Sequence, residues 1–193
     1  MSIRLEKKAI RALGIAESFR IGQMEKSTLA GVVMRSDLIL DGFVFGSTTL
    51  GGNDATESIL EIFEELDRND INVIILRGVI ISFFNIIDLD EVYEKTNIPI
   101  VGITFEESEG LEPHLKHHFP ESWKSKLELY LKIGSRTKVF LKTGYSVYTY
   151  ALGLNENEVV RTLDKFTVQG AIPEPIRLAQ LLARASYHMI ARS

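Results

Sequence analysis

Three histidines fall close together, His114, His117 and His118. That spacing suits a metal on one helix face only with a third ligand, and the sequence identifies none, so a helix surface or C-terminus is their expected home. The absence of cysteine removes disulfides, thiolate metal sites and thiol catalysis. Gly51-Gly52 lacks the spacing and the lysine of a Walker phosphate loop, and no GxSxG frames a nucleophilic serine. What remains are charged side chains at breaks in the hydrophobic pattern. Glu17 lies in Gly14-Ile15-Ala16-Glu17-Ser18-Phe19, Asp54 in Gly52-Asn53-Asp54-Ala55-Thr56, Arg77 before Gly78, and Asn85 and Asp88 in Phe84-Asn85-Ile86-Ile87-Asp88. Each also has a structural reading. Glu17 could be a solvated charge or a partner for Arg77, Asp54 a helix cap completed by Glu57, and Asn85 or Asp88 a cap of the next helix. Lys138 and Lys142 could line a phosphate-binding face. Arg177, expected in a first helical turn where the dipole disfavours a cation, needs solvent or a carboxylate such as Glu174.

The elements that must position these groups follow from periodicity. Ala9 to Ile15 reads as a strand, and Ser27 to Arg35 and Leu38 to Thr48 read as a hairpin broken at Ser36-Asp37. A helix starts at Asn53 or Asp54 and carries Ile59, Ile62, Phe63 and Leu66 inward. Asn72 to Leu76 is a short apolar run, as a strand covered on both faces would be. A helix around Asn85 to Lys95 and a strand over Ile98 to Thr104 come next. Glu109 to Leu131 reads as mostly helical with a break at Pro120. Lys138 to Lys142 and Val147 to Ala151 form a hairpin, and Asn155 caps a helix reaching Lys165. The last helix starts near Pro175 with Leu178, Leu181, Leu182, Ala185 and Met189 inward.

Three consecutive strands followed by helix, strand, helix, strand predict an antiparallel meander joined to parallel βαβ units. That is an α/β mixed sheet of the ribonuclease H-like order, with flanking helices and a C-terminal helical extension. The 193 residues suit one domain over 1–193, and 45% hydrophobic with 25% charged residues is an ordinary globular balance. The start of the chain is basic and polar rather than an export signal, and Ile71 to Ile87 is too short and too polar for a membrane span. The expectation is a soluble, cytoplasmic protein with no membrane partner; a homodimer is compatible with the sequence. The net charge of −4 is unevenly spread: +4 over residues 1–36, −14 over 37–113 and +6 over 114–193. Such asymmetry can set a basic face beside an acidic one, a hint of an anionic ligand.

With the stretch Gln169-Gly170-Ala171-Ile172-Pro173-Glu174-Pro175-Ile176-Arg177-Leu178-Ala179, the segments quoted above resemble the archaeal endonuclease dU family over nearly the whole chain. That family is distantly related to endonuclease V. The resemblance implies a DNA-repair hydrolase acting on deaminated, deoxyuridine-containing DNA, with Mg2+ or Mn2+ held by carboxylates at the ends of the first and fourth strands. By that analogy Glu17 and Asp54 are the catalytic candidates, Glu17, Asp54 and Asp88 the metal ligands, and Arg77, Asn85, Lys142 and Arg177 the substrate contacts. The sequence departs from the pattern at its centre. Ala16 and Glu17 stand where the family has a pair of aspartates, and Arg77 stands where it has another. Two readings stay open: a rearranged metal site, or a metal-free pocket in which Arg77 neutralises Glu17. The second would leave a catalytically inactive member serving as a nucleic-acid or protein interaction module.

Overall fold

A computed structural model describes residues 9–106 and 110–190. The first three strands, β1 (Arg11–Ser18), β2 (Lys26–Arg35) and β3 (Leu40–Thr49), form the expected antiparallel meander. Helix α1 (Ala55–Glu65) leads to β4 (Val73–Arg77), which pairs parallel with β1. A small hairpin, β5 (Ile80–Ile81) and β6 (Asn85–Ile86), precedes α2 (Leu89–Thr96) and β7 (Ile100–Thr104), the latter parallel to β4. Helices α3 (Glu112–His118) and α4 (Trp123–Lys132) then lead to β8 (Thr137–Phe140) and β9 (Ser146–Leu152). Helices α5 (Glu156–Phe166) and α6 (Glu174–Ile190) follow. The main sheet runs β3-β2-β1-β4-β7-β9-β8 and is mixed, with helices on both faces. This is the ribonuclease H-like architecture.

Strand alternation decides which side chain meets which layer. On β1, Leu13 and Ile15 face one way and join Ile59 and Ile62 of α1 and Val92 of α2 in one core. Ala12 and Ala16 face the other way, into a core completed by Val159, Leu163 and Phe166 of α5 and Ile176 and Ala179 of α6. The same alternation puts Ile74 and Leu76 of β4 in the first layer and Val73 and Ile75 in the second.

Gly14 shows how close the second layer comes. A Cβ on it would stand 2.5 Å from the Pro175 carbonyl carbon and 2.8 Å from the Ile176 nitrogen. The Pro175-Ile176 start of α6 is therefore packed onto the middle of the first strand, which only glycine permits.

The structure corrects several local expectations. Asn85 does not open a helix: it lies in β6, and α2 starts at Leu89, capped by Asp88, whose side chain accepts from the amides of Asp90 and Glu91. Asp54 stands at the N-cap of α1 without a side-chain cap bond, so the Asp54–Glu57 capping box does not form. The buried face of α6 is Pro175, Ile176, Ala179, Ala183 and Tyr187, whereas Leu181 and Met189 are exposed at 53% and 74%. Leu178 and Leu182 of the expected face do pack against the core, partly buried, while the fully buried row beside them is led at its N-terminal end by Pro175 and Ile176, which meet Gly14. The helical stretch expected over Glu109 to Leu131 is present with its break at Pro120, which separates α3 from α4, and Glu109 lies outside the described residues. Among the described residues no helix is long and apolar enough to cross a membrane.

Candidate functional site

Glu17 stands at the C-terminal end of β1, one position beyond the buried Ala16. Its Oε2 accepts from the Ser82 amide at 2.6 Å and from the Ser82 hydroxyl. Ser82 belongs to the three-residue loop of the β5–β6 hairpin, where Ser82, Phe83 and Phe84 all have positive φ, 47°, 59° and 65°. That conformation costs non-glycine residues roughly 1 kcal/mol each and persists only when its surroundings hold it. Ser82 is held at both backbone groups, since its carbonyl accepts from the Gly51 amide while its own amide serves Glu17. Burial pushes the Glu17 carboxyl above its usual range, against the two Ser82 bonds and the positive field of Arg77.

From Ser82 the polar contacts continue inward. Its hydroxyl lies 2.5 Å from that of Ser27, whose oxygen stands 3.4 Å from the Thr48 carbonyl, so the one Ser27 proton is shared between the two acceptors. Thr48 and Thr49 donate through their hydroxyls to Asp54, the Thr49 amide bonds both Asp54 oxygens, and Asn85 Nδ2 donates to Oδ1 at 2.6 Å. Burial opposes the Asp54 charge, but these donors outweigh it and hold the carboxyl at about 2. The Asn85 carbonyl in turn accepts from the Ala55 amide, doing from another element what Asp54 was expected to do for α1. Lys126 of α4, itself buried, closes the region by donating to Gly52 O, Asn53 Oδ1 and Phe84 O. Ser27, Ser82 and Lys126 carry no signal in the sequence, because each is an ordinary polar residue outside any motif.

Arg77 ends β4, and its position relative to Glu17 follows from register. Ile15 is the parallel partner of Leu76, so the next pair along the strands is Ala16 and Arg77, on the face opposite Glu17. The Arg77–Glu17 salt bridge, one of the two open readings, is accordingly absent among the described residues, and only a longer-range attraction links the two. Arg77 instead packs over the Phe105 ring at 5.7 Å. Its buried NH1 has no hydrogen-bond partner, and burial lowers its pKa. A cavity of about 430 Å³ opens there, lined by Arg77, Ile103, Phe105, Tyr130, Arg136 and Tyr150 among others.

The remaining candidates lie elsewhere. Asp88 caps α2 and pairs with Lys132 of α4 at 2.9 Å. Lys142 is tied to α5, with its amide and ammonium bonded to Asp164. Arg177 is paired with Glu174 on the same helix, as its unfavourable place near the N-terminus required. His114, His117 and His118 are exposed on α3, and Phe84 stacks near two of them.

These residues do not fit Mg2+ or Mn2+. Among the described residues no three His, Asp or Glu side chains gather to hold an ion. Asp54 is engaged by four groups, Asp88 is committed to a helix end and a lysine, and the end of β4 presents a cation. Glu17, Asp54 and Asp88 are thus not brought together as ligands, while Glu17, Asp54 and Asn85 are joined by one hydrogen-bonded chain.

Comparison with known proteins supplies the lineage. The family model described as Endonuclease dU matches residues 8–187. The chain belongs to the endonuclease dU family. A UPF0215 protein of Pyrobaculum calidifontis is 34% identical over 181 residues, covering 93% of this chain and 98% of the relative. A protein of unknown function from Archaeoglobus fulgidus superposes with a TM-score of 0.77 at 25% identity, over 92% of this chain and 98% of that one. Endonuclease V of Ciona intestinalis superposes at 0.62 and 16% identity, over 95% and 87%, which shows a common fold. Of the three positions where the resemblance implies aspartates, 16 and 77 are neighbours on one face and carry no carboxylate, while Glu17 keeps one on the other face.

Proposed function

We propose that this member of the endonuclease dU family binds nucleic acid at the ends of β1, β4 and β7 and holds a phosphate there without a metal ion. The observation that carries the reading is Arg77 at the end of β4, one step beyond the Ile15–Leu76 pair and so beside Ala16. Where carboxylates would collect a cation, the chain supplies a fixed positive charge with an unpartnered donor. A guanidinium presents planar donors matched to phosphate oxygens, so an anion takes the place a metal would have taken. Nucleic acid is the anion suggested by the fold's company: the Ciona endonuclease V was solved with inosine-containing DNA, and an Argonaute of Marinitoga piezophila with guide RNA and target DNA. On this reading Glu17 keeps the strained hairpin in place through Ser82 and does not activate water.

The test pairs calorimetry with cleavage. Single-stranded and uracil-containing DNA are expected to bind in the presence of a chelator. Neither Mg2+ nor Mn2+ should support cleavage beyond that of Glu17→Ala. A stoichiometric Mn2+ site together with cleavage abolished in Glu17→Ala would overturn the proposal and restore the metal-dependent endonuclease.

A further inference from the structure

The cavity at the ends of β4 and β7 has a character that phosphate binding alone does not require. Its charged lining is Arg77 and Arg136, with Glu106 exposed at the rim. Arg136 NH1 donates to neutral oxygens, Thr104 Oγ1 at 3.2 Å and the Glu106 carbonyl at 2.9 Å, and its guanidinium lies over the Tyr148 ring at 5.0 Å. Both guanidiniums are therefore fixed against aromatic rings, and neither is hydrogen-bonded to a carboxylate among the described residues. This contrasts with Arg11, Arg68 and Arg177, which all pair with aspartate or glutamate. A partly buried cation with no hydrogen-bonded counter-charge is costly, and an arriving anion would satisfy it.

The remaining walls say what the anion is attached to. Tyr150, buried, donates its hydroxyl to that of Tyr130 at 3.3 Å, which leaves the Tyr130 proton to be donated outward. Burial and that neighbour both keep Tyr150 protonated. Phe105, Ile103 and the tyrosine rings give the cavity flat apolar surface beside its donors. About 430 Å³ lies in the range of small-molecule sites and accommodates one nucleotide rather than a length of strand.

We infer that this cavity is a site for a single nucleotide carrying a terminal phosphate, its phosphate between Arg77 and Arg136 and its flat ring against the aromatic wall. The inference rests on the nucleic-acid reading above for the class of ligand and deepens it by making a phosphorylated end, not an internal linkage, the group recognised. The source is either the end of a strand or a free nucleotide.

Binding of deoxyuridine monophosphate, deoxyuridine, inorganic phosphate, and a short single strand with and without a terminal phosphate to the full chain tests it by calorimetry. The nucleotide is expected to bind and the nucleoside to bind at least about tenfold more weakly, since charge-assisted bonds are lost. Arg136→Gln should weaken nucleotide binding by about tenfold or more, with Lys95→Gln on α2 unchanged. Arg77→Met should weaken it too while melting no lower than the parent, because it removes a buried unpartnered charge. Preference for the phosphorylated strand over the free nucleotide identifies a strand end, and the reverse identifies a small molecule. Equal binding of nucleotide and nucleoside overturns the proposal, as does no binding of any phosphate-bearing probe. Unfolding of Arg77→Met marks that guanidinium as structural and overturns its part. Strand binding indifferent to the terminal phosphate sinks this inference and leaves the nucleic-acid reading standing, whereas no strand binding at all sinks that reading itself.

Discussion

Glu17 and Asp54 are two carboxylates of one hydrogen-bonded chain, and their surroundings push them in opposite directions. Asp54, with its four donor groups, is held at about 2, so its contribution to stability is present above the ordinary carboxylate range and is lost as pH falls toward that value. Glu17 is raised by burial. A carboxylate whose folded pKa exceeds its unfolded one binds its proton more tightly in the native state, so stability falls as pH rises through that interval. The cost is absent below the unfolded value of 4.5 and grows as pH rises toward the raised folded value. Glu17→Gln removes the charge and retains an oxygen to accept from Ser82. The variant is expected to melt a few degrees above the parent near pH 7, and thermal melts should show the gain shrinking as pH falls to 4.5. An advantage constant with pH would mean that packing, not ionisation, distinguishes the two side chains.

At the scale of elements, what the sequence disclosed depended on whether the cause was local. The N-cap Asn155 of α5 was readable because the Glu158 amide it serves is three residues on, and the reciprocal Glu158 bond that the structure adds is equally local. The meander and the parallel β4 were readable because the hydrophobic period changes within each segment. Asn85 was misplaced because its partners, Thr48, Asp54 and Ala55, lie on other elements, and a two-residue strand has no period to detect. The salt bridge between Arg77 and Glu17 was conceivable from strand ends alone, and failed once register assigned them opposite faces. The same distinction governs α6. Its motif looked like a functional signature, yet Pro175 lies against Gly14, and a methyl group there meets backbone atoms that cannot turn aside. Gly14→Ala is therefore expected to cost about 1–3 kcal/mol through overpacking. Denaturant melts would measure the loss, and hydrogen exchange should rise in α6 more than in α1. Equal protection in both helices would show that β1, rather than α6, absorbs the added methyl.

Over the whole molecule, the charge asymmetry becomes a geometric one. Helix α1 carries Glu57, Glu61, Glu64 and Glu65, and α2 carries Asp90, Glu91 and Glu94 against Lys95, so their side of the sheet is acidic. The segment from Lys116 to Lys142 holds seven basic and two acidic residues, and it contributes α4, β8 and the Arg136 wall of the cavity. A polyanion is thus repelled from one side and drawn to the edge where the cavity opens. Binding that replaces counterions along a strand weakens linearly on a log–log plot against salt, with a slope of about −0.7 for each phosphate neutralised on a single strand. If Arg136 holds a phosphate, Arg136→Gln should reduce that slope by about one phosphate's share, whereas Lys95→Gln on the acidic side should leave it unchanged. Fluorescence anisotropy over a range of salt concentrations provides the measurement. A slope insensitive to Arg136 would place the strand elsewhere on the surface, and a slope near zero would contradict electrostatic binding of nucleic acid by this chain.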